Sequence, residues 1–320
     1  MNGALESAAA TGGRARAAFG RREWRQLAII SAAAAAIYLG LRWMPTGTNL
    51  SHMDFRVEGK GALDFCDPLN PQFISVVAAR SPVSLKVTTG QPARAGERVT
   101  GVVTLTTAAG KSITPRDLLV VHERPLHLML VDPSLTDYQH VHPEPGAQPG
   151  TWAFSFTPRH GGTYRLFADF TPVATARGLY ANVDLPVQGA EVARGPRSPG
   201  EPEFAAVEQQ GIRFQLTPAQ PVKAGAAVDY TFSMTALSGG SVPLQPVMGA
   251  YAHLVAFDPE RTGFAHLHPA QEDPSAAPDA QRPSLSFKLT IPKPGRYVTW
   301  AQVNLAGQDT FVPFWFTVTE

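Results

Sequence analysis

The sequence predicts an all-β protein: two tandem antiparallel β-sandwich domains behind one N-terminal transmembrane helix. Three observations predict it. An uncharged run, LAIISAAAAAIYLGL at 27–41, follows a basic N-terminus. Short β-rich runs, several alternating apolar with polar and separated by turn residues, fill the chain from residue 82 onward. The segment HLMLVDPSLTDYQHVHP at 127–143 returns without a gap as HLVAFDPERTGFAHLHP at 253–269.

Residues 1–26 form a basic segment with Arg14, Arg16, Arg21, Arg22 and Arg25, and the excess of arginine places it on the cytoplasmic side. The 16 residues between Arg25 and Arg42 would be about 24 Å long as a helix, against a hydrocarbon core of about 30 Å. Trp24 and Trp43 suit the two interfaces, and Arg25 and Arg42 can snorkel, so residues 27–44 are expected to act as an uncleaved signal anchor. A cleaved signal peptide fits the same n- and h-regions, but the exit LRWMPTG puts bulky residues where cleavage needs small ones. Either form puts the rest of the chain beyond the inner (cytoplasmic) membrane, in the periplasm or outside. Residues 45–77, with Pro and Gly, are expected to be a stalk or pre-domain segment. Its single cysteine, Cys66, leaves no partner for an intrachain disulfide.

Strand-like runs then follow in order: VSLKVTT, ERVTGVVTLTT, LHLMLV, YQHVH, WAFSFT, TYRLFADF and LYANVDLPV. Their number and turn spacing predict a first sandwich over 78–188. The stretch GAEVARGPRSPGEPE at 189–203 has little to bury and reads as a linker. The same order of runs restarts over 204–320, and FSFTPRHGGTYRLFADF answers FKLTIPKPGRYVTWAQV. A repeat of more than about 100 residues means tandem domains, because solenoid and propeller units are about 20–50 residues long.

The repeated segment carries H-x12-H-x-H twice: His127, His140 and His142, then His253, His266 and His268. If each is a hairpin in which Val131 opposes Tyr138 and Phe257 opposes Phe264, then Met129 opposes His140 and Val255 opposes His266. His127 then meets His142, and His253 meets His268, with side chains of each trio on one face. Three neutral imidazoles suit copper(II), zinc or nickel(II) and leave a fourth position open. His122 precedes His127 by five residues, as Met248 precedes His253. These two and Met129 are possible accessory donors that would favour copper, although both methionines also serve as core fillers. The residues alone leave two readings open: a metal centre, or histidines retained as hydrogen-bonded supports of a turn.

Other chemistries find little support. A net charge of +1, from 27 basic and 26 acidic residues, gives no footing for nucleic acid. Blue-copper electron transfer needs a cysteine within the domain, and Cys66 lies outside both. Glu144 is the one carboxylate close to a histidine pair, and neither a G-x-S-x-G elbow nor a phosphate-cradling loop occurs, so no catalytic activity is expected.

The N-terminal anchor, the short β-sandwich domains and the two hairpin segments resemble the FixH/YtkA-like group of bacterial membrane-anchored exported proteins. The resemblance implies an Ig-like or cupredoxin-like fold and a role in handling copper or another heavy metal, with zinc the second choice. The expected function is therefore non-enzymatic metal binding as a carrier, buffer or sensor, with a metal pump or an oxidase under assembly as partner. The alternative is an Ig-like structural or interaction module of a membrane complex.

Overall fold

The computed structural model describes residues 20–43, 72–78, 81–192, 202–270 and 277–320. The chain divides into two units, residues 1–47 and 48–320. The first holds one helix, α1 (Arg21–Trp43), capped where the Gly20 N–H donates to Glu23 Oε2 at 2.7 Å. Among the described residues no helix is long and apolar enough to cross a membrane. The anchor expected over 27–44 starts inside α1, and its last residue lies outside the described residues.

In the second unit the first sandwich contains β1 (Val83–Thr89), β2 (Ala93–Arg94), β3 (Val99–Thr107), β4 (Leu118–Leu119), β5 (His127–Val131) and β6 (Tyr138–Val141). It continues with β7 (Glu144–Pro145), β8 (Thr151–Phe156), β9 (Gly162–Pro172) and β10 (Leu179–Gln188). One sheet runs β1-β3-β8-β7 and the other β2-β10-β9-β5-β6, with β4 against β9. The second sandwich contains β11 (Val207–Gln209), β12 (Ile212–Pro218), β13 (Ala227–Ala236), β14 (Leu244–Gln245) and β15 (His253–Phe257). Then come β16 (Phe264–Leu267), β17 (Ser284–Thr290), β18 (Gly295–Leu305) and β19 (Gln308–Val318). Its sheets are β11-β12-β13-β17 and β14-β18-β15-β16, with β19 on the free side of β18.

Alternation along the outer strands explains the first two cores. Val103, Leu105 and Trp152 point from one sheet toward Leu128, Leu130 and Leu166 of its mate. Phe214, Phe232 and Phe287 do the same toward Leu254, Ala301 and Phe314. A third core lies between the sandwiches. Met129, Val131 and Phe167 of one inner sheet pack against Val255, Phe257 and Trp300 of the other. The two inner sheets thus stand back to back, giving four layers in all. This is why β5 and β15 are buried at every position while β1 and β13 alternate with solvent.

The end of the expected stalk belongs to this body. The Phe73 N–H donates to Thr290 O at 3.0 Å, Ile74 and Phe264 exchange backbone bonds of 2.8 and 3.1 Å, and the Val77 N–H donates to Thr262 O at 2.8 Å. Phe73 enters the second sandwich's core and Val76 the core between the sandwiches. Cys66 and His52 lie outside the described residues, as do the linker residues 193–201. Beyond the linker, Phe204 already stacks on Phe316, with ring centroids 4.7 Å apart.

Candidate metal centre

Both hairpins adopt the register that the spacing predicts. Val131 pairs with Tyr138 and Met129 with His140, and in the second copy Phe257 pairs with Phe264 and Val255 with His266. His127, His140 and His142 then have ring centroids 4.8–5.3 Å apart, and His253, His266 and His268 have theirs 4.7–5.6 Å apart. Three imidazoles on one tetrahedral ion, each about 2.0–2.1 Å away, would hold their rings about 5 Å apart. In each trio one ring nitrogen per histidine lies within 4.8 Å of the other two.

Hydrogen bonds fix which nitrogen each ring presents. His127 Nε2 lies 3.0 Å from Val121 O. A carbonyl only accepts, so Nε2 carries the proton and Nδ1 is bare. Gln302 Nε2 donates to Asp309 Oδ2 at 3.1 Å, which turns Gln302 Oε1 toward His140 Nδ1 at 2.9 Å. His140 therefore donates from Nδ1, and its Nε2 is bare. These two bare nitrogens, His127 Nδ1 and His140 Nε2, face each other at 3.2 Å. With no proton to share they repel, unless a cation sits between them. Ligand nitrogens on one tetrahedral ion lie about 3.3–3.4 Å apart, close to this separation.

The second trio repeats the arrangement. His253 Nε2 lies 2.9 Å from Val247 O, and His266 Nδ1 lies 3.2 Å from Asp169 Oδ2, so both nitrogens donate. Their opposite nitrogens, His253 Nδ1 and His266 Nε2, are buried without a hydrogen-bond partner among the described residues, as are His268 Nε2 and His142 Nε2. Each trio thus has one Nδ1 and one Nε2 left bare by the bonds behind them, and a third ring, His142 or His268, whose buried Nε2 has no hydrogen-bond partner among the described residues. Burial keeps the rings neutral: it holds His142 at about 3 and His253 at about 4, and neighbouring histidines push the same way. His122, His127, His140, His266 and His268 are lowered for the same first reason.

The trios adjoin. His140 and His266 have ring centroids 5.3 Å apart, and His127 and His266 5.8 Å. A sequence-family profile described as a domain of unknown function, DUF8832, matches residues 80–186 and again residues 205–320. The chain belongs to the DUF8832 family. No curated protein matches it. A Corynebacterium diphtheriae protein whose crystal structure is described as membrane anchored aligns at 11% identity and TM-score 0.24, over 74% of this chain and 59% of its own. Native E. coli alpha-2-macroglobulin aligns at 12% identity and TM-score 0.25, over 74% of this chain and 17% of its own. Fibronectin(III)-like modules of Clostridium thermocellum CbhA align at 10% identity and TM-score 0.19, over 73% of this chain and 94% of theirs. The description of the fold therefore stands on the sheets themselves.

The accessory candidates take different places in the two DUF8832 repeats. Met129 is fully buried in the core between the sandwiches, packed with apolar side chains. His122 leaves its own trio and stacks on His268 of the other repeat, centroids 3.5 Å apart. Met248 occupies the matching turn position in the second repeat: both residues have a positive φ, 50° for His122 and 51° for Met248, and Met248 is buried. The shared Asp-Pro is a loop support. Asp132 accepts from the N–H groups of Ser134, Thr136 and Asp137, and Asp258 from those of Thr262 and Gly263. His160 donates its backbone N–H to the Tyr164 hydroxyl.

Sequence reasoning missed Asp169, Gln302 and Asp309. The first two left a signal. Aligning FSFTPRHGGTYRLFADF with FKLTIPKPGRYVTWAQV puts Asp169 and Gln302 in one column, each a polar residue between two apolar neighbours. A groove of about 860 Å³, lined in part by Arg98, Val141 and Glu144, reaches His142 of the first trio.

Proposed function

We propose that this DUF8832 protein binds transition-metal ions at its two histidine trios, copper first and zinc second, as a non-enzymatic carrier, buffer or sensor. The observation that carries this reading is the pair of bare nitrogens, His127 Nδ1 and His140 Nε2, held lone pair to lone pair at 3.2 Å by acceptors behind them. Structural histidines can choose a tautomer that gives each ring nitrogen a hydrogen-bond partner; here backbone and side-chain acceptors force the opposite choice. Resemblance of the hairpins to the FixH/YtkA-like group points toward copper as the metal. Ig-like sandwiches on the outer side of the membrane complete the reading. The basic, apolar helix Arg21–Trp43 supplies membrane association, with Trp24, Ile29, Ile30 and Tyr38 exposed along it. A metal pump or an oxidase under assembly would receive or donate the ion.

The test is a titration of the full-length protein in detergent with copper(II) and with zinc, beside the His127→Ala/His253→Ala double variant. Binding of two ions per chain with dissociation constants of about 1 μM or tighter, lost in the variant, is the expected result. Absence of binding by the intact protein would leave a structural or interaction module, in which His127 and His253 serve only to hold Val121 and Val247.

A further inference from the structure

Of the four bonds behind the trios, two stay within a repeat and two cross from one repeat to the other. On β9, Asp169 lies opposite His127, and on β18, Gln302 lies opposite His253, so the two residues hold equivalent positions in the two repeats. Neither serves its own repeat. Asp169 of the first repeat accepts from His266 of the second, and Gln302 of the second accepts from His140 of the first. Each trio takes its three ligand rings from one repeat and the group that sets a ring's tautomer from the other. The two sites are therefore halves of one interdomain centre.

The exchange is chemically unequal. His266 is backed directly by a carboxylate, whereas His140 is backed by an amide, with the Asp309 carboxylate one residue further away. A carboxylate on the far N–H makes an imidazole a better donor and brings a negative charge close to the bound cation, and an amide supplies only the hydrogen bond. The His140 and His266 rings are 5.3 Å apart, so an ion in one trio opposes the arrival of a second dication in the other. The first effect decides which trio fills first, and the second separates the two steps.

We propose that the centre fills in sequence, His253/His266/His268 before His127/His140/His142, and that Asp169 is the positioning residue that sets this order. The proposal rests on the metal-binding reading above. It assigns an inequivalence that neither repeat contains by itself.

Copper(II) titration of the full-length protein against a competing chelator tests it. Two resolved steps are expected, the first abolished by His268→Ala and the second by His142→Ala. Asp169→Asn keeps an oxygen that can accept from His266 and removes only the charge, so it should weaken the first step about 10- to 100-fold and the second, whose His127 lies opposite Asp169 without bonding to it, by less. The double variant Gln302→Glu/Asp309→Asn gives His140 a carboxylate while keeping the bond behind it, and should tighten the second step. A merely structural role for these residues cannot produce that gain. Two equal steps, loss of the first step in His142→Ala, or an unchanged first step in Asp169→Asn would each overturn the ordering and leave metal binding standing. No copper bound at all would overturn both readings.

Discussion

His253 illustrates what burial does to a single residue. Its ring is fully buried and donates Nε2–H to Val247 O, and desolvation holds its pKa at about 4, against an ordinary value of 6.5. The unfolded chain takes up a proton near pH 6.5 and the folded chain does not until near pH 4. Unfolding therefore gains protons in that window, and stability falls as pH falls. For the metal-free protein, His253 alone should cost about 2 kcal/mol between neutral pH and pH 5, with the other buried histidines adding to it. Urea unfolding of chelator-treated protein at pH 7.5 and pH 5 measures this; equal midpoints would mean that the cluster is solvated. The H-x12-H-x-H spacing made the trios legible at this scale, because an alternating pleat and a hairpin leave few registers that bring three histidines together. The carboxylate and amide behind the rings left only a shared column of the two repeats, and which ring each serves was not legible, since bonds such as His266–Asp169 join residues 97 apart in the chain.

At the level of elements, the long strands matched the apolar runs: VSLKVTT is β1, and IRFQLTP is β12. The short strands β2, β4, β7, β11 and β14, two or three residues each, carry no such pattern and depend on neighbours already in place. Residues 72–77, within the stretch expected to be a stalk or pre-domain segment, gave no strand signal for a related reason. Their pairing lies with β16 and β17, far along the chain, and no local pattern announces it. Gly263 permits that pairing: a Cβ there would collide with the carbonyl of Ile74. Gly263→Ala should displace residues 72–77 and cost about 1–3 kcal/mol. The readout is faster proteolysis near residue 74 with metal binding at the trios retained; wild-type resistance would mean that the edge relaxes freely.

For the whole molecule, the core between the sandwiches decides how the repeats behave. Phe257 is fully buried there, its ring 6.0 Å from Phe167 and 5.4 Å from Tyr138 of the other repeat. Arg261 adds a bond of 2.7 Å to Thr163 O, and Arg165 donates to Arg261 O at 2.9 Å. Repeats joined by a core of their own should unfold together, in one calorimetric transition whose van't Hoff and calorimetric enthalpies agree. Phe257→Ala should cost about 3–5 kcal/mol and split that transition in two. A single transition at lower temperature would place the weakness inside the second sandwich instead.

The sequence by itself determined the β architecture, its duplication and the composition of each histidine trio. Those follow from period-two patterning and from spacing within one hairpin, which act over a few residues. Only the tertiary structure decided that the two trios lie side by side, that one ring of each is backed by the opposite repeat, and that His122 stacks on His268. Those depend on two inner sheets packing back to back. Apolar burial drives that packing, and it is nearly indifferent to order along the chain, so the pairing of Asp169 with His266 and of Gln302 with His140 exists only once the four layers have formed.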